Sequence, residues 1–149
     1  MSTMDITKDV VVVDLDGTLA LDGHRSHYLN RTPRDWTKYF AACGDDAPNL
    51  PIIELVSALY EANFHIHIVS GRSDEVRDTT LDWLSKHEVP FEILKMRPKD
   101  NRVDDHKLKL EMVSAYKDRI LLVLEDRQRV VDMWRANGLT CLQVAPGNF

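Results

Sequence analysis

The chain is short of the features that staple, anchor or array a protein. Two cysteines, Cys43 and Cys141, are all that 149 residues contain, with no CxxC spacing. A disulfide scaffold and a cysteine-based zinc site are therefore not expected, and reduced thiols in a cytoplasm are. No signal-peptide pattern and no apolar run of transmembrane length occurs, so no membrane contact is expected. Positive charge is not in excess either: 19 Lys and Arg stand against 24 Asp and Glu, for a net charge of -5 and a pI near 5.6. That argues against a broad basic face for nonspecific duplex binding, while leaving room for a small basic pocket. Internal repeats and low-complexity segments are missing. What remains is ordinary globular composition, 44% hydrophobic and 29% charged, at a length that suits one domain over 1–149. Residues 1–8 are polar and expected to fray.

Against that plain background one stretch stands out. Val10-Val11-Val12-Val13 is four β-branched residues in a row, the pattern of a strand buried on both faces of a parallel sheet. The chain then turns polar, as Asp14-Leu15-Asp16-Gly17-Thr18. Residues two apart on an extended chain point the same way, so Asp14 and Asp16 are expected to present their carboxylates together where ligands bind in open α/β sheets. Two such carboxylates 4 Å apart repel by roughly 4 kcal/mol at an effective dielectric of about 20. A divalent cation held by hard oxygen ligands relieves this. A calcium loop does not fit, because its sixth and twelfth positions, which need Gly and Glu, are Leu19 and Arg25. A plain Asp-Gly turn would leave the two acids abutting a Val run unexplained.

Strands and helices then alternate. The second Asp-Gly, Asp22-Gly23, suggests a short hairpin flap. Thr32-Pro33-Arg34-Asp35 reads as a helix start with Thr as N-cap, followed by an aromatic face of Trp36, Tyr39 and Phe40 that is expected to be core rather than a base-stacking surface. Pro51 opens a helix with Ile52, Leu55, Val56, Leu59 and Tyr60 inward. Phe64 to Val69 is a strand whose His65 and His67 share one face, expected as strand residues under a helix since no third metal ligand has matching spacing. It ends in Ser70-Gly71-Arg72, and Ser73 caps the next helix. A strand over 91–96 precedes Arg97-Pro98, and a helix over about 106–117 turns Lys109 inward, where it needs a partner. Ile120 to Leu124 is a buried strand ending in Glu125-Asp126-Arg127. A helix stopping at Asn137-Gly138 and a last strand over 140–144 complete a doubly wound parallel α/β sheet.

Asp14 with Asp16, Ser70, Lys109, and Glu125 with Asp126 thus converge on one sheet edge, in an order that structural needs alone do not explain. In that order they resemble the four motifs of the haloacid dehalogenase (HAD) superfamily of phosphotransferases, whose first motif is DxDGT. The fold implied is a HAD-like Rossmannoid sheet with a small cap, here a flap and insert over 19–50. The runs Val69-Ser70-Gly71-Arg72, Arg97-Pro98, and Glu125-Asp126-Arg127 through Gln143-Val144-Ala145-Pro146-Gly147-Asn148-Phe149 are similar to the 3′-phosphatase domain of phage-type polynucleotide kinase/phosphatases over nearly the whole chain. No GxxxxGK[ST] loop for a kinase half occurs.

The resemblance implies a Mg²⁺-dependent phosphomonoesterase. Asp14 is implied as nucleophile, forming an aspartyl-phosphate, and Asp16 as the proton donor and acceptor, its pKa open to elevation by neighbouring negative charge. Asp14, the Asp16 backbone carbonyl and Asp126 are implied as metal ligands. Glu125 replaces the usual first Asp of its motif and is expected one layer behind the metal. Thr18, Ser70, the Gly71 amide and Lys109 are implied as phosphate-binding groups. Arg25, Arg72 and Arg97 are candidates for holding substrate phosphate. The expected substrate is a phosphorylated nucleic-acid end, encountered in a cytoplasm, which for a phage-encoded protein is that of the host, with no stable protein partner. Two alternatives stay open: a phosphatase of mononucleotides or other small esters, and a non-catalytic module that binds phosphate or nucleic acid.

Overall fold

The computed structural model describes residues 7–149; the expected fraying of residues 1–6 lies outside them. Five parallel strands form the central sheet: β1 (Val10–Val13), β4 (His65–Ser73), β5 (Ile93–Arg97), β6 (Ile120–Glu125) and β7 (Cys141–Gln143), in the order β5-β4-β1-β6-β7. Two short strands outside it, β2 (Ala20–Leu21) and β3 (Ala47–Pro48), pair antiparallel. The helices are α1 (Trp36–Ala41), α2 (Leu50–Glu61), α3 (Arg77–Lys86), α4 (Asp105–Val113) and α5 (Gln128–Ala136).

The Val run does what its composition demands. Val11 and Val13 face one apolar layer, with Ile53 and Val56 of α2 and Trp83 and Leu84 of α3. Val10 and Val12 face the other, with Val113 at the end of α4 and Val130, Val131 and Trp134 of α5. All four valines are at most 1% exposed, so β1 is central in the sheet and between the layers. After β1 the chain crosses first to β4 and β5 on one side, then returns to β6 and β7 on the other. The carboxyl end of β1 is therefore the switch point at which such sheets open a crevice.

Several local expectations need correction. Asp22-Gly23 does not close a hairpin: β2 finds its partner 26 residues on in β3, and Gly23–Tyr28 forms a 3-10 helix. The first helix starts at Trp36, not at Thr32, because Asp35 is its N-cap and accepts from the Lys38 amide at 3.0 Å. Its aromatic face is not all core, since Tyr39 is buried but Trp36 is 45% exposed. Helix α2 is turned so that Ile53 and Val56 point inward, flanked by Ile52 and Leu59, and Leu55 and Tyr60 face solvent. Strand β4 runs on to Ser73 and carries Ser70 within it. Helix α4 ends at Val113 and gives way to a 3-10 segment over Ser114–Arg119. His67 is buried against the Tyr116 ring and His65 pairs with Glu92, so the two histidines are strand residues as expected.

Candidate active site

Asp14 follows β1 directly, and its amide extends the ladder by donating to the Leu124 carbonyl at 2.9 Å. A tight turn then forms, in which the amides of Thr18, Leu19 and Ala20 all donate to the Leu15 carbonyl. The turn requires Gly17. Its φ is +80°, and a Cβ there would lie 2.1 Å from the Asp126 carboxylate. The absence of that side chain lets the first turn meet the end of β6.

Four charged groups converge in the gap. Lys109, from the inward face of α4, donates to Asp14 Oδ1 at 2.8 Å and to Glu125 Oε2 at 2.9 Å, and lies 3.6 Å from Asp105. Asp14, Glu125 and Asp126 each offer an oxygen within 4.8 Å of the other two. Thr18 Oγ1 sits 3.3 Å from Asp14 and 3.4 Å from Asp126. Glu125 also accepts from the Asp126 and Arg127 amides, which fixes its carboxylate at the end of β6.

Burial and mutual repulsion raise the carboxyl pKa values of this group. Asp14 is pushed well up by burial and Glu125, against the pull of Lys109. Asp126 is pushed up to about 8 by burial and by Asp14. Glu125 is raised by burial, with Lys109 opposing. Burial works against the Lys109 ammonium, but Asp14, Glu125 and Asp105 outweigh it and hold the lysine charged. Three carboxylates thus face one ammonium, and when ionised they leave two negative charges to be met. Hard oxygen ligands with that excess suit Mg²⁺, which takes carboxylates and completes its shell with water and phosphate.

Asp16 lies elsewhere in the site. Its carboxylate accepts from Arg25 Nη2 at 2.5 Å and from Arg72 Nη2 at 2.6 Å. Burial alone would raise its pKa, but Arg72 and Arg25 outweigh it and bring the value down to about 2. The expected elevation is overturned, because the neighbours are guanidinium groups and not carboxylates.

The two arginines are held in turn by Asp46. Arg25 donates to both Asp46 oxygens, at 2.8 and 2.6 Å, and to the Tyr39 carbonyl; Arg72 reaches Asp46 at 3.4 Å and Thr80 at 3.0 Å. Both arginines are at most 1% exposed and are turned inward onto Asp16 and Asp46. Asp46 is the residue that the sequence did not reveal. It sits in a loop among other acids, and only the fold brings it to Arg25 and Arg72.

Ser70 and Gly71 stand on β4 at the same end of the sheet. Ser70 is buried and accepts from the Arg72 amide at 3.0 Å. The Gly71 carbonyl accepts from Arg97 Nε at 2.9 Å, and a Cβ on Gly71 would strike Asp105 at 2.1 Å. Arg97 also donates to the Asn101 and Val103 carbonyls, so it braces the loop before α4 rather than standing free.

This arrangement has relatives. Residues 8–149 match the profile of the family described as the polynucleotide kinase PNKP phosphatase domain of the HAD group. The chain belongs to that family. It is a HAD-type phosphatase. A protein of Autographa californica nuclear polyhedrosis virus, described as a candidate bifunctional polynucleotide kinase/RNA ligase, is 36% identical over 132 residues, which is 84% of this chain and 17% of the viral protein. A chain in a solved Pnkp1/Rnl/Hen1 complex superposes with a TM-score of 0.82 at 28% identity, over 96% of this chain and 48% of its own length. A Clostridium difficile protein solved as a candidate phosphatase shares the fold, with a TM-score of 0.68 at 13% identity. The chain spans about a sixth of the viral relative and about half of the chain in the complex. Among the described residues no helix is long and apolar enough to cross a membrane.

Proposed function

We propose that this protein removes 3′-phosphate from nucleic-acid ends, through a phosphorylated Asp14 and with Mg²⁺. The observation that carries the chemistry is the Asp14 carboxylate held at 2.8 Å by the Lys109 ammonium, beside Glu125 and Asp126. Asp14 Oδ forms the bond to phosphorus as the bond to the 3′ oxygen breaks, and the leaving oxygen takes a proton from Asp16. Water then attacks the same phosphorus and gives a proton to Asp16, which releases phosphate and restores Asp14. The clamp of Arg25 and Arg72 keeps Asp16 ionised at rest, so the proton it donates is taken up with the substrate, whose negative charge opposes the guanidinium groups. Lys109 and Thr18 would hold phosphoryl oxygens, with Ser70 and the Gly71 amide from the neighbouring strand end. Asp14, Asp126 and the Asp16 carbonyl would hold Mg²⁺, which offsets the repulsion between a carboxylate nucleophile and a phosphate dianion.

The polynucleotide substrate is supported by the family and by the viral relative's description. Relatives solved within a Pnkp1/Rnl/Hen1 complex leave the expectation of a protein without partners unsupported. The test compares rates with Mg²⁺ on a 3′-phosphorylated oligonucleotide, the 5′-phosphorylated form, and 3′- and 5′-mononucleotides. The 3′-phosphorylated oligonucleotide is expected to be fastest, and an advantage for mononucleotides would move the assignment to small esters. Asp14→Asn is expected to abolish turnover of an aryl phosphate while the circular dichroism spectrum is unchanged. Retained turnover would remove Asp14 as nucleophile and reopen the reading of a binding module.

A further inference from the structure

The segment that enters α1 gathers positive charge around an exposed aromatic ring. Arg31, Arg34 and Lys38 fall within eight residues, are all exposed, and make no ion pair among the described residues, on a chain whose net charge is -5. The one acid among them, Asp35, is engaged at the N-terminus of α1. Between these cations stands Trp36, 45% exposed. Its ring is propped by two others: Tyr39 edge-on at 5.8 Å and Phe40 tilted at 5.7 Å. Tyr39 in turn lies under the Arg25 guanidinium at 4.2 Å, and Arg25 holds Asp16 at 2.5 Å. Three contacts thus connect the exposed indole to the proton-transfer carboxylate.

We propose that Trp36, flanked by Arg31, Arg34 and Lys38, is a stacking platform for the unpaired nucleotides just 5′ of the phosphate that Asp14 attacks. The inference rests on the reading of the substrate as a polynucleotide end and adds the surface that distinguishes a polymer from a mononucleotide. A propped ring offers one face to a base without ordering a flexible side chain, and cations within the same eight residues supply charge for the backbone phosphates. This pairing of aromatic ring and positive charge is the chemistry of sequence-tolerant single-strand binding.

The experiment measures kcat and KM on a 3′-phosphorylated single-stranded decamer, the 3′-mononucleotide and an aryl phosphate, for the parent, Trp36→Ala, Trp36→Phe and Arg34→Ala/Lys38→Ala. Trp36→Ala is expected to raise KM for the decamer about ten-fold, in keeping with loss of one stacked base, and to leave kcat and both small substrates unchanged. Trp36→Phe is expected to stay within about two-fold of the parent. The double charge variant is expected to flatten the dependence of log kcat/KM on log salt by about 1.4 for the decamer alone.

An unchanged decamer KM in Trp36→Ala, or an equal loss on decamer and mononucleotide, overturns the platform. If Trp36→Ala fails to fold, the charge pair decides, and a salt slope that it leaves unaltered overturns the platform. A parent that prefers the mononucleotide overturns the polynucleotide reading itself. A parent that prefers the decamer, with variants that do so equally, overturns only the platform.

Discussion

At the scale of single residues, the site depends on what is missing from Gly17 as much as on what Asp14 carries. Gly17 combines a positive φ with a backbone that touches the Asp126 carboxylate. Gly17→Ala is therefore expected to displace Asp126 and strain the turn together. The expected outcome is a fall in aryl-phosphate turnover of at least ten-fold, a higher Mg²⁺ requirement, and a stability loss of about 1–3 kcal/mol measured by urea unfolding. A variant with unchanged Mg²⁺ titration would show that the contact between turn and carboxylate is not needed. Asp126→Asn, which keeps the shape and removes the charge, is expected to raise the Mg²⁺ requirement without that loss of stability.

Most single site residues were legible in the sequence because each breaks a local rule: two acids directly after a Val run, a lysine on a buried helix face, an acidic pair ending a buried strand. What Asp16 does with its charge was not. Its environment is composed by Arg25, Arg72 and Asp46, ordinary charged residues whose distances along the chain carry no signal.

At the scale of elements, strands β1, β4 and β6 were plain from β-branched and aliphatic runs, since a strand covered on both faces leaves little choice of residue. The segment between β2 and β3 was not. Its 3-10 turns and the six residues of α1 are too short for periodicity to act. What secures it is a buried polar knot rather than an apolar stripe: Arg25 and Asp46, from its two ends, meet each other, Arg25 also holds Asp16, and Trp83 of α3 donates to the Asp46 carbonyl at 2.9 Å. Removing one member of a buried ion pair leaves the other charge uncompensated. Asp46→Asn is expected to cost about 3–5 kcal/mol in urea unfolding and to lower kcat, as Arg25 and Arg72 lose the anion that aims them at Asp16. A loss of stability with kcat intact would mean that Asp16 keeps its position without the knot.

At the scale of the whole molecule, the acidic pocket makes stability a function of pH and cation together. Asp126 has its pKa raised to about 8, and those of Asp14 and Glu125 are raised as well, so without a cation the folded protein holds more protons than the unfolded chain from about pH 4 upward. Stability then falls as pH rises, including through the ionisation of Asp126 near pH 8. Asp16 works in the opposite sense: its pKa of about 2 adds stability that is lost only as pH falls from about 4 toward 2. The metal-free protein is therefore expected to melt highest near pH 5 and several degrees lower at pH 8.5. Mg²⁺ binds the ionised carboxylates and displaces their protons, so its stabilising effect is expected to be small at pH 5 and to grow steadily toward pH 8.5. Thermal melts across this range, with Mg²⁺ and with chelator, check both slopes. A chelated protein whose melting temperature does not decline above pH 5 would mean that Asp14, Glu125 and Asp126 do not repel one another in the folded state, and that the pocket is not built around a cation.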